Sequence, residues 1–127
     1  MTPGLHIIRP GLLTTVQDLG RAGYQNLGIA VGGALDPIGL RAANALVGNA
    51  PGTGALELLY LGPTIAVEAD DLRMAFAGAN AAIEILPDLT AARGRRVEAM
   101  CSIRLRRGEV VRFGSCVTSI AGPHGAA

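Results

Sequence analysis

The chain has 127 residues, half of them hydrophobic, and a formal net charge of +1. That length suits one domain, able to bury roughly two-thirds of its unfolded surface, and so small a charge gives no global field to steer it toward nucleic acid or a membrane. Every one of its 11 basic residues is arginine, so this chain cannot itself be a biotinyl-lysine carrier, a Schiff-base enzyme or an ordinary P-loop NTPase.

Met1-Thr2-Pro3-Gly4 has no apolar run of the signal-peptide kind, and no apolar stretch is long enough to span a bilayer. The expectation is a cytoplasmic chain whose Cys101 and Cys116 stay reduced and pack as small hydrophobes. Only Tyr24, Tyr60, Phe76 and Phe113 are aromatic, so the core must be built from Leu, Ile, Val and Ala.

The segment Gly11 to Asp36 comes first in interest. It sets Thr14, Thr15, Gln17, Asp18, Arg21, Tyr24, Gln25 and Asn26 among six glycines. It is too glycine-rich for a helix interior and too polar for an ordinary core strand. Ordering it costs backbone entropy, a cost usually met where backbone approaches a ligand or partner closely. A helix follows over about 36–48: Asp36 can cap it, Pro37 takes its first position, and Gly48-Asn49 can end it. Leu35, Ile38, Ala42 and Leu46 then share an apolar side, while Arg41 and Asn44 project together from another. Asn49 to Gly54 is a turn-rich connection into a strand over Ala55 to Tyr60.

Beyond it, period-2 alternation dominates. Ile65 and Val67, then Leu72, Met74 and Phe76, then Ile83 and Ile85, then Ile103 and Leu105, and finally Val111 and Phe113 each alternate with small, polar or charged residues. Residues 87–97 form a looser stretch. Short alternating strands of this kind indicate an antiparallel sheet or barrel with one wet face. The fold class is therefore mainly β with one main helix.

Charge is unevenly placed. Residues 1–92 carry four Arg against eight acids, whereas residues 93–112 carry seven Arg against Glu98 and Glu109. The arginine run reads either as a solvated strand face or as a surface for an acidic partner or anionic ligand. Nucleic acid is not expected, because only Phe113 offers a stacking platform there. His6 and His124 lie far apart, and no Cys/His/Asp/Glu spacing suggests a metal site. Cys101, after Met100, reads as core. The group Gln17, Asp18, Arg21 and Gln25 can hold a planar amide or carboxylate through paired hydrogen bonds; an internal Asp18–Arg21 pair that orders the loop is the alternative. Glycines such as Gly33 would let backbone N–H groups face a ligand. Asn44 and Glu57 are weaker candidates. Glu57 sits in an apolar strand, so it must be on the wet face, paired, or part of a site.

The run PGLLTTVQDLGRAGYQNLGIAVGGALDPIGLRAANALVGN, Pro10 to Asn49, and its continuation ALELLYLGPTIAVEADDLRMAFAGA, Ala55 to Ala79, resemble the biotin-dependent carboxyltransferase-like family. That family includes the C subunit of 5-oxoprolinase, KipA and the carboxyltransferase part of urea carboxylase. Ala22 stands where the family usually has proline, Asn26 where it often has histidine, and Gly32 where it commonly has serine. The resemblance implies a cyclophilin-like β-barrel, with residues 1–121 as the first of two related halves and 122–127 as a frayed tail. It implies an active cleft between the halves, with Asp18 and Arg21 as catalytic residues and Gln17, Arg21, Gln25, Gly33, Asn44 and Glu57 as substrate-binding ones. In this reading Arg21 holds a substrate carboxylate, Gln17 and Gln25 orient an amide, and Asp18 fixes Arg21 or handles a proton. The implied activity is that of a C-subunit-like component of an ATP-dependent 5-oxoprolinase, working with A and B (KipI-like) subunits on a small cyclic amide. The alternatives are a biotin-dependent carboxyltransferase acting on a urea-like substrate and a non-catalytic, KipA-like partner-binding module. No cofactor is expected to bind this chain directly; ATP would be used by the complex. A lone half would expose one wall of the cleft and could self-associate.

Overall fold

A computed structural model of the chain describes residues 4–117. Nine strands and one α-helix follow in order: β1 (Leu5–Arg9), β2 (Leu13–Gln17), α1 (Pro37–Val47), β3 (Ala55–Leu59), β4 (Thr64–Val67), β5 (Asp71–Ala75), β6 (Asn80–Leu86), β7 (Arg95–Val97), β8 (Ser102–Arg106) and β9 (Val110–Val117). All pairings are antiparallel. They form a five-stranded sheet in the order β1-β4-β9-β6-β7 and two separate ladders, β2-β3 and β5-β8. The mainly-β, antiparallel class is as expected, and among the described residues the strands do not close into a barrel.

The alternation in the sequence explains the core. Ile65 and Val67 of β4, Ile83 and Ile85 of β6, and Val111 and Phe113 of β9 point to one side of the large sheet and are buried. Leu105 of β8 joins them, and Leu72, Met74 and Ile103 close the cluster from the β5-β8 ladder. Fully burying an aliphatic side chain is worth roughly 1.5–3 kcal/mol, so this inter-sheet layer is the main hydrophobic store of the fold. Phe76 and Phe113 meet at its edge, ring centroids 5.7 Å apart and tilted by 40°.

Three expectations need correction. First, α1 starts and stops as read, with the Asp36 carboxylate accepting from the Gly39 N–H at 2.8 Å and Gly48 as its C-cap. However, its buried face carries Leu40 and Asn44; Leu35 and Ile38 are 75% and 78% exposed. The helix packs against β5, and its Asn44 holds the 50–53 turn; of the expected apolar stripe, Leu35 and Ile38 are exposed while Ala42 and Leu46 are half-buried. Arg41 is exposed and Asn44 buried, so the two do not project together. Second, the Gly11 to Asp36 segment, read as too polar for an ordinary core strand and assigned no strand, contains β2, which pairs only with β3 and stays half-exposed, outside the core. Third, Cys101 is exposed and free rather than packed. It follows Met100, whose positive φ of 62° turns the chain just before β8. The looser stretch 87–97 also contains the short edge strand β7. The expected tail, His124 and the side chain of Cys116 lie outside the described residues.

The arginine run mostly finds acids. Arg104 makes a bidentate pair with Asp71, at 2.7 and 2.8 Å, and this hydrogen bonding holds the Asp71 carboxyl below its ordinary range and raises Arg104. Arg107 reaches Asp70 at 2.8 Å, and Arg95 lies 3.5 Å from Glu109. The Arg104–Asp71 pair lies across the β5-β8 ladder and the other two involve the turns beside it; such surface pairs are each worth little in stability.

Candidate functional site

The loop between β2 and α1 is held closed by its own backbone. The Arg21 N–H donates to the Val31 carbonyl at 2.7 Å, and the Ala34 N–H to the Asp18 carbonyl at 2.9 Å. Between these bonds the two limbs touch at Gly20 and Gly33, both in the left-handed region with φ of 81° and 86°. A Cβ on Gly20 would sit 2.6 Å from the Val31 and Gly32 carbonyl oxygens, and one on Gly33 would sit 2.6 Å from the Gly20 nitrogen. The close approach expected from the glycine content is thus real, but here it is made by the loop against itself.

Around this crossing, β2 and β3 place Thr15 opposite Glu57 and Gln17 opposite Ala55. Successive strand residues face opposite sides, so Thr15, Gln17 and Glu57 share one face. The Gln17 amide donates to the Thr15 hydroxyl at 3.2 Å. The half-buried Glu57 accepts the Leu35 N–H at 2.7 Å, which ties the loop's exit to the ladder. Asp18 accepts the Gly20 N–H at 2.7 Å and shapes the loop's first turn. Gln25 lies in a single 3₁₀ turn, Gln25–Leu27, and its side-chain oxygen accepts the Gly23 N–H at 3.1 Å.

Arg21 is exposed. Among the described residues it makes no ion pair with Asp18 or any other acid. The loop is therefore ordered by backbone bonds and by the Asp18 and Glu57 carboxylates, and the Arg21 guanidinium is left over. Asn44 stands apart from this group. It is only 3% exposed, and its amide donates to the Pro51 and Thr53 carbonyls at 3.2 and 2.8 Å while its oxygen accepts from Asn49 at 3.3 Å. Its polar atoms hold the connection after α1. Thr15 was not singled out from the sequence. Its two-residue spacing from Gln17 was visible, but placing it beside Glu57 needs the β2-β3 register. Among the described residues no group of three or more His, Cys, Asp or Glu side chains is placed to hold a metal ion.

Residues 27–122 match the family described as carboxyltransferase domain, subdomain A and B. The chain belongs to that family. This carboxyltransferase-domain chain is 50% identical over 66 residues to the 5-oxoprolinase C subunit of Escherichia coli (strain K12), a match that covers 52% of the chain and 21% of that protein. It is 32% identical over 109 residues to urea amidolyase of Lachancea kluyveri, covering 85% of the chain and 6% of that protein. The crystal structure of TTHA0988 superposes with a TM-score of 0.79 at 35% identity, over 89% of this chain and 22% of that one. The chain thus spans about a fifth of the 5-oxoprolinase relative and far less of the amidolyase. No helix among the described residues is long and apolar enough to cross a membrane.

Proposed function

We propose that this chain is a C-subunit-like component of an ATP-dependent 5-oxoprolinase that opens 5-oxo-L-proline to L-glutamate together with A-like and B-like (KipI-like) subunits. The observation that carries the reading is the closed loop over Asp18 to Ala34. Among the described residues it leaves the Arg21 guanidinium without an acidic partner, and β2 and the loop carry two side-chain amides, each with one half engaged and one half available. Gln17 uses its N–H₂ on Thr15 and keeps its oxygen; Gln25 uses its oxygen on Gly23 and keeps its N–H₂. One acceptor and one donor complement the N–H and C=O of a lactam, and Arg21 complements the substrate carboxylate. Ring opening places charge on the carbonyl oxygen, which donors held in position stabilise. Asp18 fixes the turn that carries Arg21 or takes a proton. Gly33 holds the loop shut and Glu57 anchors its exit, while Asn44 holds the connection after α1. Similarity to the E. coli 5-oxoprolinase C subunit supports the assignment.

A urea-directed carboxyltransferase is the second reading, favoured by the longer coverage of this chain by urea amidolyase. The same amide-recognising wall would serve it, with biotin carried on a lysine elsewhere. A partner-binding role without turnover is favoured by the outward Leu35 and Ile38, which a KipI-like protein or a second copy would cover. The deciding experiment mixes the chain with purified A and B subunits and follows ATP-dependent glutamate formation from 5-oxoproline. Turnover that Arg21→Ala abolishes supports the proposal. A complex with no turnover favours the partner-binding role, and an unchanged rate in Arg21→Ala refutes the role given to that arginine.

A further inference from the structure

A second arrangement of charge lies away from this loop, on the outer face of the five-stranded sheet. The registers place Arg9 opposite Thr64, Thr64 opposite Arg112, Arg112 opposite Glu84, and Glu84 opposite Arg96. These five residues form one row that crosses all five strands. Their neighbours Ile65, Val111 and Ile85 face the core, so the row faces outward. It lines a depression of about 270 Å³ floored by small residues such as Gly62, Ala82 and Gly114. Register shifts between Ile7 and Arg9 and between Ala81 and Ile83 interrupt the ladders at its margins; such bulges bend a sheet and re-aim side chains.

The middle of the row is fixed. Arg112 donates to the Glu84 carboxylate at 2.6 Å and to the Ala92 carbonyl at 3.3 Å. The other Glu84 oxygen accepts the Gly94 N–H at 2.7 Å. At both ends the row is unbalanced: among the described residues Arg9 and Arg96 have no carboxylate partner. The row thus sets three guanidinium groups against one carboxylate, whose two oxygens already accept from Arg112 and Gly94, and it carries a net charge of two positives beside a concave site. Off the row, Arg95, Arg104 and Arg107 each meet an acid. Guanidinium forks suit oxyanions in particular, and the depression is of small-molecule size.

We propose that the Arg9–Thr64–Arg112–Glu84–Arg96 row is a binding site for a small dianionic oxyanion, with Arg9 and Arg96 gripping it from either side of a fixed Arg112. The site is independent of the lactam reading. Calorimetric titration of the full chain with inorganic phosphate and with succinate tests it, the two probes separating a compact dianion from an extended one. Saturable binding of either, at one per chain, is expected. Arg9→Gln and Arg96→Gln should each weaken it at least tenfold, and Arg9→Lys and Arg96→Lys should recover only part of the loss, because lysine keeps the charge without the fork. Arg107→Gln removes the same charge off the row and should leave binding unchanged. All variants are compared at equal urea midpoints. No saturable binding of either probe, or an equal loss in Arg107→Gln, overturns the proposal.

Discussion

Gly33→Ala is the sharpest test of how the candidate site is held. Two costs add. The first is a side chain at φ of 86°, about 1–2 kcal/mol for an L-residue in the left-handed region. The second is steric: the new Cβ would lie 2.6 Å from the Gly20 nitrogen and 2.8 Å from the Leu19 carbonyl carbon. Both are backbone atoms and cannot swing aside, so the limbs must part. Parting strains the Ala34–Asp18 and Arg21–Val31 bonds, each worth about 0.5–1.5 kcal/mol. Gly23→Ala is the control, since Gly23 has a φ of 91° but nothing within 4 Å of its Cβ position. It carries the first cost alone. Trypsin cleavage after Arg21 reads loop opening, provided each rate is normalised to that of the unfolded variant. When opening is fast relative to cleavage, the rate tracks the open population. Gly33→Ala should then be cut roughly tenfold or more faster than Gly23→Ala, tenfold being about 1.4 kcal/mol. Equal normalised rates would refute the crossing as the loop's clasp.

Other outcomes follow from the same geometry. The Gly94 N–H and then Arg112 hold the Glu84 carboxyl below the usual glutamate range. Its charge therefore stabilises the fold above that range, and the contribution fades as pH falls through it toward the folded value. Urea midpoints measured from neutral pH into acid should fall more steeply for the wild type than for Glu84→Gln; parallel curves would refute the linkage. Asn44→Ala leaves the Pro51 and Thr53 carbonyls without their donor and should cost about 1–3 kcal/mol in a urea melt. Full stability with lost turnover would instead place Asn44 in the site. Arg21→Ala should change stability by less than about 0.5 kcal/mol, as for exposed residues without partners, so a larger drop would expose an unseen structural role. The exposed Cys101 thiol should react with an aromatic disulfide reagent in the native Cys116→Ser chain without denaturant, and protection until unfolding would contradict its placement.

Much of the sheet was legible because burial on one face imposes a period of two. Ile65, Val67, Ile83, Ile85, Val111 and Phe113 announce the core layer by alternation alone. The ends of α1 were legible because capping is local chemistry, at Asp36 and Gly48. Its orientation was not. Apolar spacing favoured Leu35 and Ile38, yet the helix is held by Asn44, whose partners are carbonyls several residues later in the chain. In the candidate site, sequence singled out the loop between β2 and α1 but could not separate side chains that build it from side chains left over. Asp18 and Glu57 turn out to spend oxygens on backbone N–H groups, whereas Arg21 spends nothing on a carboxylate. The outer arginine row was invisible for a different reason. Arg9, Glu84 and Arg112 are widely separated in sequence and become neighbours only through strand register, which two bulges displace.

Strand order has a consequence for how this sheet comes into being. β9 is synthesised after every other described strand, yet it lies at the centre of the large sheet, flanked by β4 and β6. Until it emerges from the ribosome, both flanking strands present bare inner edges beside Ile65, Val67, Ile83 and Ile85. Unpaired apolar edges of that kind template wrong pairings. The helix, the β2-β3 ribbon and the β5-β8 ladder can form while translation proceeds; the sheet that joins them has to wait. A nascent chain stalled before Val110 is therefore a set of parts held open for a strand still to come, and the interval before its arrival is when the sheet most needs a chaperone.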